Sequence, residues 1–334
     1  MFKLSSQIEF FDSPSAAKAK WVSNSVCSVD INSSIQSLTD TCTITIPKRI
    51  VWKENDQVIV GNKKALKRGN KVIIKLGYDD KLYTRFVGYI RDMVDSIPTK
   101  ITLDNSMWLL KQNTINDSWE SETLGGFIKR VIPTNIKTVC DDPTIKIGSF
   151  RIKNSTPAQA LDKLLQTYPL YATFLLVGDE PILHIGLAYP SYGRKEIEFK
   201  EGYNIISTEN LQWRNANEVK VKVVVKVKKY INGGETEEQY EFGDRDGEQV
   251  TLYQLNIDKV AAEKYAKAKL EQLKYTGLYG TFDTFGNIPV NKGDIANITL
   301  KEGSGKYLIK SVKTEFGRRY KQTIELGGLL NASN

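Results

Sequence analysis

The sequence contains one histidine and three cysteines in 334 residues. Ser-His-Asp triads and zinc sites built on histidine would all depend on His184, so histidine-based chemistry is disfavoured. Cys27, Cys42 and Cys140 are odd in number and show no CxxC spacing. They therefore indicate neither a zinc site nor a disulfide framework, and we expect reduced thiols. No cofactor or bound metal is predicted.

Long apolar stretches are also missing. No run approaches the about 18 residues that a membrane-spanning helix needs. The segment from Met1 to Glu9 has no continuous apolar core, so we expect neither a signal peptide nor stable membrane insertion. The net charge is +8, from 47 Lys and Arg against 39 Asp and Glu, but there is no basic arm. This pattern does not indicate sequence-specific binding of nucleic acid.

What the chain does contain is a long series of short strands and a few helices. The strand at 221–228 alternates Val with Lys at most positions, which predicts one buried and one solvated face. Thr156, Pro157 and Gln159 form a capping box that starts a helix ending before Pro169. A second helix is predicted over 258–275, with Asp258 as its N-cap.

Two parts of the sequence share a spacing. Segments 69–76, 85–90 and 100–103 are matched near the C-terminus by segments 293–300, 306–312 and 322–326. One interpretation is that any three-stranded meander has this spacing. The other is two similar antiparallel barrels separated by an α/β insertion. Both interpretations predict an α+β fold that is predominantly β.

One loop carries the densest positive charge, and it holds Lys63, Lys64, Lys67 and Arg68. It is either a solvated loop or a contact with an acidic neighbouring subunit or with passing nucleic acid. The other charged motif, Arg318 to Lys321, reads as a hairpin turn. It would need aromatic residues on an exposed basic sheet face to bind nucleic acid.

An alternative function is a cell-envelope glycan hydrolase or glycan-binding β-protein. That function requires carboxylates to converge in a cleft near aromatic rings. The candidates are Asp79, Asp141, Asp244, Asp246, Trp52 and Trp213. His184, which stands between Leu183 and Ile185 in a strand, is expected to be solvent-facing or structural.

The order of several segments resembles a known family. They are Lys71–Tyr78, Phe86–Ile90, Ile101–Asn105, Thr156–Leu161, Tyr168–Tyr171, Leu183–Gly186, Ala261–Leu273, Gly277–Phe282, Val290–Asp294 and Tyr307–Val312. Together they resemble the baseplate hub proteins of phage tails, including the late control D type. The hub portion of type VI secretion spike proteins is similar.

The resemblance implies two tube-like antiparallel β-barrel domains with an inserted α/β domain. The first barrel would span 1–112, completed by strands near 205–228, the inserted domain 113–204, and the second barrel 205–334 with the helix at 258–275. Three chains would form a ring with near-sixfold barrel symmetry, joining a hexameric tail tube to a threefold central spike.

The same resemblance implies a non-enzymatic virion protein of the tail, assembled in the bacterial host cytoplasm. Its implied partners are the tail tube protein, the central spike protein and the tape-measure protein. DNA would pass through the lumen without base readout. The chain ends at Asn334 without a repeat-rich spike or lysozyme-like module, so any such module is expected on a separate chain.

Overall fold

The computed structural model describes residues 3–330, except 55–56, 148, 169, 187–193, 232–233, 256 and 302. The N-terminal elements are β1 (Leu4–Phe11), β2 (Trp21–Ser23), β3 (Ser28–Ser34), β4 (Thr41–Ile46), β5 (Val51–Glu54), β6 (Gln57–Val60), α1 (Asn62–Ala65), β7 (Lys71–Tyr78), β8 (Lys81–Val94) and β9 (Thr99–Asn105). The middle elements, after a 3-10 turn at Ser106–Lys111, are β10 (Ile115–Trp119), β11 (Glu122–Thr123), α2 (Leu124–Val131), β12 (Thr138–Cys140), β13 (Lys146–Ile147), β14 (Phe150–Ser155), α3 (Pro157–Thr167), β15 (Tyr171–Val177) and β16 (Glu180–Gly186).

The C-terminal elements follow in the same way. They are β17 (Glu196–Lys200), β18 (Ile205–Arg214), a 3-10 turn at Ala216–Glu218, β19 (Val221–Ile231), β20 (Gly234–Gly243), β21 (Glu248–Leu255), α4 (Lys259–Leu273), β22 (Gly277–Phe285), β23 (Ile295–Leu300), β24 (Gly303–Phe316) and β25 (Tyr320–Leu329). Most strand pairs are antiparallel, so the predicted α+β, predominantly β class is confirmed.

Thirteen strands form one sheet, and it contains the same pattern twice. The first strand set pairs in the order β1-β7-β8-β9-β4-β3, and the second strand set pairs in the order β17-β23-β24-β25-β22-β18. When the six strands of each set are numbered in chain order, the spatial order in both sets is strand 1, 4, 5, 6, 3 and 2. One difference is direction, because β1 is antiparallel to β7 whereas β17 is parallel to β23. The repeat predicted from spacing thus corresponds to two six-stranded units with the same strand order.

Each strand set has its own apolar core on one face of the sheet. Ile44, Ile74 and Leu103 are fully buried in the first core, and Phe282 and Ile324 are buried in the second. The alternate residues on these strands point to the opposite face, since successive side chains of a strand alternate. Those positions are rich in Thr, Asn, Lys and Glu and are partly exposed.

Two smaller units interrupt the strand sets. The first lies between β9 and β17 and packs α2 and α3 against short strands around Phe127, Leu161 and Leu183. The second lies between β18 and β22 and packs α4 on the sheet β20-β19-β21, with Ala262 against Val223. The second unit was not predicted as a separate body.

Several details correct the predicted organisation. The strands near 205–228 do not complete the first barrel, because β18 pairs with β22 and β19 pairs with β20 and β21. The strand that joins the first set is β24. Helix α4 forms where a helix was predicted, but it packs on the separate three-stranded sheet β20-β19-β21 and not in the core of the second strand set. Strand β17 pairs with β23, although the boundary at 204 assigns it to the inserted domain. The boundary at 112 stays a prediction.

Candidate assembly surface

The two strand sets meet edge to edge at β3 and β24. Strand β24 has 14 residues and its neighbour β23 only 6, so the C-terminal part of β24 extends past β23. That part pairs antiparallel with β3, from Ser311 opposite Ser34 to Phe316 opposite Val29. We call this pairing the β3–β24 joint. It makes one continuous hydrogen-bonded sheet of both sets.

A buried ion pair reinforces the β3–β24 joint. The Lys292 ammonium donates to both carboxylate oxygens of Asp40 at 2.7 Å, and both side chains are less than a tenth exposed. Asp40 also accepts hydrogen bonds from Ser34 N at 3.2 Å and Asn105 Nδ2 at 3.2 Å. These donors satisfy a carboxylate that would otherwise be costly to bury. The pair therefore connects the β3–β4 loop of the first set to the turn before β23 of the second.

A second contact joins the sets at the hairpin between β24 and β25. Arg85 Nε donates to the Tyr320 hydroxyl at 2.8 Å, and its Nη2 donates to the Gly286 carbonyl at 2.7 Å. Tyr78 Oη donates to the Tyr320 carbonyl at 3.2 Å. Burial raises the pKa of Tyr320 despite the nearby guanidinium. The motif at Arg318–Lys321 is thus a hairpin turn, as predicted, and its aromatic ring is buried against the first set.

The turns that precede β7 and β23 share the same hydrogen bonds. Gly69 N donates to the Ile90 carbonyl and Gly293 N donates to the Ile309 carbonyl, each at 2.8 Å. Both glycines have φ +86°, which favours glycine over residues with a Cβ. The residue after each glycine accepts from the backbone N–H three positions earlier, at 2.6 Å for Asn70 and 2.8 Å for the carboxylate of Asp294.

These matching turns relate the predicted basic loop to the β3–β24 joint. Arg68 precedes Gly69 just as Lys292 precedes Gly293, so Arg68 is the counterpart of the lysine in the buried ion pair. Arg68 is exposed in this chain, and its guanidinium lies over the Trp108 ring at 5.1 Å. Lys64 and Lys67 are also exposed, while the side chain of Lys63 lies outside the described residues.

The same loop is anchored from within. Asn62 is buried, accepts from Trp52 Nε1 at 3.2 Å, and donates to the Pro47 carbonyl at 2.9 Å and to Thr99 Oγ1 at 3.1 Å. The basic residues are therefore presented by a fixed backbone. Nothing in their sequence spacing indicated this anchor, because its partners lie on β5, on β9 and in the loop after β4.

The four candidate carboxylates of the alternative function lie in three separate places, and Asp244 and Asp246 share one of them. Asp79 accepts from Lys3 N at 2.8 Å in the β7–β8 hairpin, and Asp141 contacts His184 Nε2 at 2.8 Å beside β12. Asp244 accepts from Lys274 Nζ at 2.6 Å in the turn after β20, and Asp246 is in the same turn. Within the described ranges, no group of three or more His, Cys, Asp or Glu could hold a metal ion.

The aromatic candidates are also apart, and His184 is not solvent-facing. Trp52 is buried in the first core, whereas Trp213 lies half exposed on β18. His184 is buried because β16 is flanked by β12 and β15 and covered by the helical unit. The structural role predicted for His184 is therefore the one that its position supports.

Known protein structures share this fold. No protein-family model and no curated protein sequence matches the chain. A tail protein of prophage MuSo2 from Shewanella oneidensis superposes with a TM-score of 0.60 at 14% identity, covering 96% of this chain and 98% of that one. A tail protein from Neisseria meningitidis gives 0.62 at 14% identity over 97% and 96%. The chain has the fold of phage tail proteins.

The tail-protein fold extends to a secretion component. An Escherichia coli component of the type VI secretion system, described as similar to T4 phage tail proteins gp27 and gp5, gives a TM-score of 0.60 at 9% identity, with 97% of this chain and 77% of that chain covered. The resemblance read from the sequence is confirmed at the level of fold. None of the helices in the described ranges is long and apolar enough to span a membrane.

Proposed function

We propose that this chain is a structural hub of a phage tail or related injection device. Three copies form a ring with near-sixfold symmetry that joins a hexameric tail tube to a threefold central spike. The carrying observation is that one chain holds two six-stranded sets with the same strand order, joined edge to edge. Three such chains supply six equivalent sets, which matches sixfold to threefold symmetry.

The proposed partners follow from this position. They are two further copies of this chain, the tail tube protein, the central spike protein and the tape-measure protein. The two strand sets act as tube-like barrels, with one α/β unit inserted between them and another inside the second set. Genome or effector passes through the lumen, no cofactor is used, and assembly into the virion tail takes place in the host cytoplasm. The role is non-enzymatic.

The loop with Lys63, Lys64, Lys67 and Arg68 acts as a subunit contact in this proposal. Its support is the match between Arg68 and Lys292, since the latter already crosses between strand sets to reach Asp40. In a ring, the first set of one chain faces the second set of its neighbour. The basic loop then lies at the interchain equivalent of the β3–β24 joint.

The experiment is native mass spectrometry over a concentration series, followed by negative-stain images of the largest species. A mass near three times 37.7 kDa, with a ring and a central hole, is the expected result. A strict monomer at every concentration, also with tail-tube or spike proteins added, would overturn the proposal. Release of soluble fragments from purified cell envelopes by that monomer would favour the glycan-hydrolase alternative.

A further inference from the structure

The β3–β24 joint pairs one edge of the first strand set with one edge of the second. The corresponding edge of each set takes no part in this joint. The joint pairs the second strand of the first set with the fifth strand of the second set. The counterparts are β18, the second strand of the second set, and β8, the fifth strand of the first. Among the described strands, β18 pairs only with β22, and the segment Asp92–Val94 pairs only with β9.

The two sets can be matched residue by residue. In the first set, Asp92, Thr102, Thr43 and Asp30 lie side by side across β8, β9, β4 and β3. In the second set, Ser311, Glu325, Thr281 and Asn210 lie side by side across β24, β25, β22 and β18. Both rows follow directly after a bulge, located between Ile90 and Asp92 and between Ile309 and Ser311. The matching bulges support this alignment independently of sequence.

The free edges carry the features of an interface rather than of a protected sheet edge. Val94 is 53% exposed and Trp213 is 50% exposed, whereas Val312, at the position that matches Met93 in the intact joint, is buried. Met93 N donates to the carboxylate of its own neighbour, Asp92, at 2.8 Å. No proline or lysine, which commonly block exposed edges, occurs in Asp92–Val94 or in β18.

We infer that Asp92–Val94 of one chain pairs antiparallel with β18 of a second copy, repeating the β3–β24 joint between chains. Transferring the register of that joint places Asp92 opposite Arg214, and Val94 opposite Gln212. The remaining pair is Met93 opposite Trp213. This inference rests on the proposed ring and specifies its contact.

The chemistry of the two edges agrees with this register. Asp92 and Arg214 have opposite charges, which stabilise a cross-strand pair. Met93 and Trp213 are a thioether and an indole, which pack favourably against each other. The contact is head to tail, because each chain offers β8 on one side and β18 on the other. Head-to-tail contacts close into rings when the rotation between copies allows.

Disulfide trapping tests the register. In a Cys27→Ser and Cys140→Ser background, Val94→Cys with Gln212→Cys is expected to give covalent dimers and trimers on oxidation, seen on non-reducing gels. Opposite residues of paired strands lie within the about 4.4–6.8 Å between Cα atoms that a disulfide spans. Asn32→Cys with Lys313→Cys, the matching positions of the β3–β24 joint, should cross-link within one chain and run as monomer.

The off-register control is Val94→Cys with Asn210→Cys. These side chains would share a face but stand diagonally, about 7–8 Å apart, and are expected not to cross-link. A native trimer in which Val94→Cys and Gln212→Cys stay reduced, while Asn32→Cys and Lys313→Cys oxidise, would overturn this contact and leave the ring standing. Preferential cross-linking of the off-register pair would also overturn it. The lack of any oligomer would remove the ring as well.

Discussion

Asn70 and Asp294 occupy the same position in the two matching turns before β7 and β23. Their different side chains are explained by the direction of the neighbouring strand. The amide of Asn70 donates from Nδ2 to the Asp12 carbonyl at 2.9 Å, whereas the carboxylate of Asp294 accepts from Lys195 N at 3.0 Å. Strand β1 ends at its turn and β17 begins at its turn, because the two run in opposite directions relative to β7 and β23. The first turn therefore meets a carbonyl and the second meets an N–H, so one requires an amide and the other tolerates a carboxylate.

Asn70→Asp tests this assignment. At pH 7 the new carboxylate would face the Asp12 carbonyl in a buried position, and we expect a loss of about 2–3 kcal/mol in unfolding free energy. Burial raises the pKa of such an acid, as it does at Asp294. The destabilisation should thus shrink as the pH falls through that raised value, since the protonated acid can donate. Urea unfolding at pH 7 and pH 4 measures both, with exposed Asn113→Asp as the control, expected within about 0.5 kcal/mol.

The buried ion pair gives a larger residue-scale effect. Lys292→Met removes the cation and leaves Asp40 buried without its charge partner, which is expected to cost about 3–5 kcal/mol. Lys301→Met is the matched control, because Lys301 is 89% exposed and lies 4.0 Å from Glu201. Its change should stay below about 1 kcal/mol. Equal effects of the two substitutions in urea unfolding would contradict the role assigned to Lys292.

At the scale of elements, the sequence predicted where helices and strands form better than it predicted which strands pair with each other. The capping box at Thr156 forms as predicted and starts α3, and Asp258 caps α4 through Ala261 N at 2.8 Å. These signals are local, since a cap and its acceptor lie within three residues. The alternation in β19 correctly indicated a half-buried strand. It could not indicate which sheet β19 joins, because both sheets bury one face.

The repeat shows the same limit in more detail. The spacing matched Ile90 with Val312, but the hydrogen bonds of the two turns match Ile90 with Ile309. The β7–β8 hairpin is longer than the β23–β24 hairpin, since β7 has 8 residues and β23 has 6. Hairpin length changes without altering topology, so spacing alone places a repeat only approximately. No sequence signal predicted the ion pair between Lys292 and Asp40, because the two residues are 252 positions apart in the sequence.

On the polar face of the second strand set, the ion pair of Asp283 is expected to make the stability of the fold depend on pH. Asp283 on β22 accepts from Lys321 Nζ at 2.7 Å and from Thr323 Oγ1 at 2.6 Å. Burial favours the neutral acid, but these hydrogen bonds outweigh it and lower the pKa of Asp283. A lowered folded pKa gives stability that is present above the ordinary carboxyl range and is lost as the pH falls through the folded value.

We therefore expect Asp283→Asn to unfold about 1 kcal/mol more easily than the parent at pH 7 and to approach it as the pH falls below the ordinary carboxyl range. Thermal unfolding midpoints of both proteins, taken from pH 7 down through the acid range, give the measurement. Exposed Asp179→Asn serves as the control and should follow the parent throughout. A constant gap between Asp283→Asn and the parent at every pH would contradict the assigned ion pair.

At the scale of the whole molecule, the proposed ring turns the sheet into a cylinder. The two apolar cores lie on one face of the sheet, so in the proposed ring the opposite, polar face would line the channel. Three of its cations are paired with carboxylates: Lys310 with Glu325 at 2.6 Å, Lys313 with Glu315 at 2.6 Å, and Lys321 with Asp283 at 2.7 Å. Paired charges present little net positive potential to a phosphate backbone, which suits a channel through which DNA passes without adhering.

Removing two of these carboxylates should make the channel face bind DNA. Glu315→Gln with Glu325→Gln leaves Lys313 and Lys310 without their charge partners, so each can neutralise a phosphate. Fluorescence anisotropy with a short duplex is expected to show tighter binding and a plot of log affinity against log salt steeper by about 2. Glu237→Gln with Glu241→Gln on β20 changes the net charge equally but lies on the separate β19 sheet. An equal gain in both double variants would mean that overall charge, and not the channel face, governs DNA affinity.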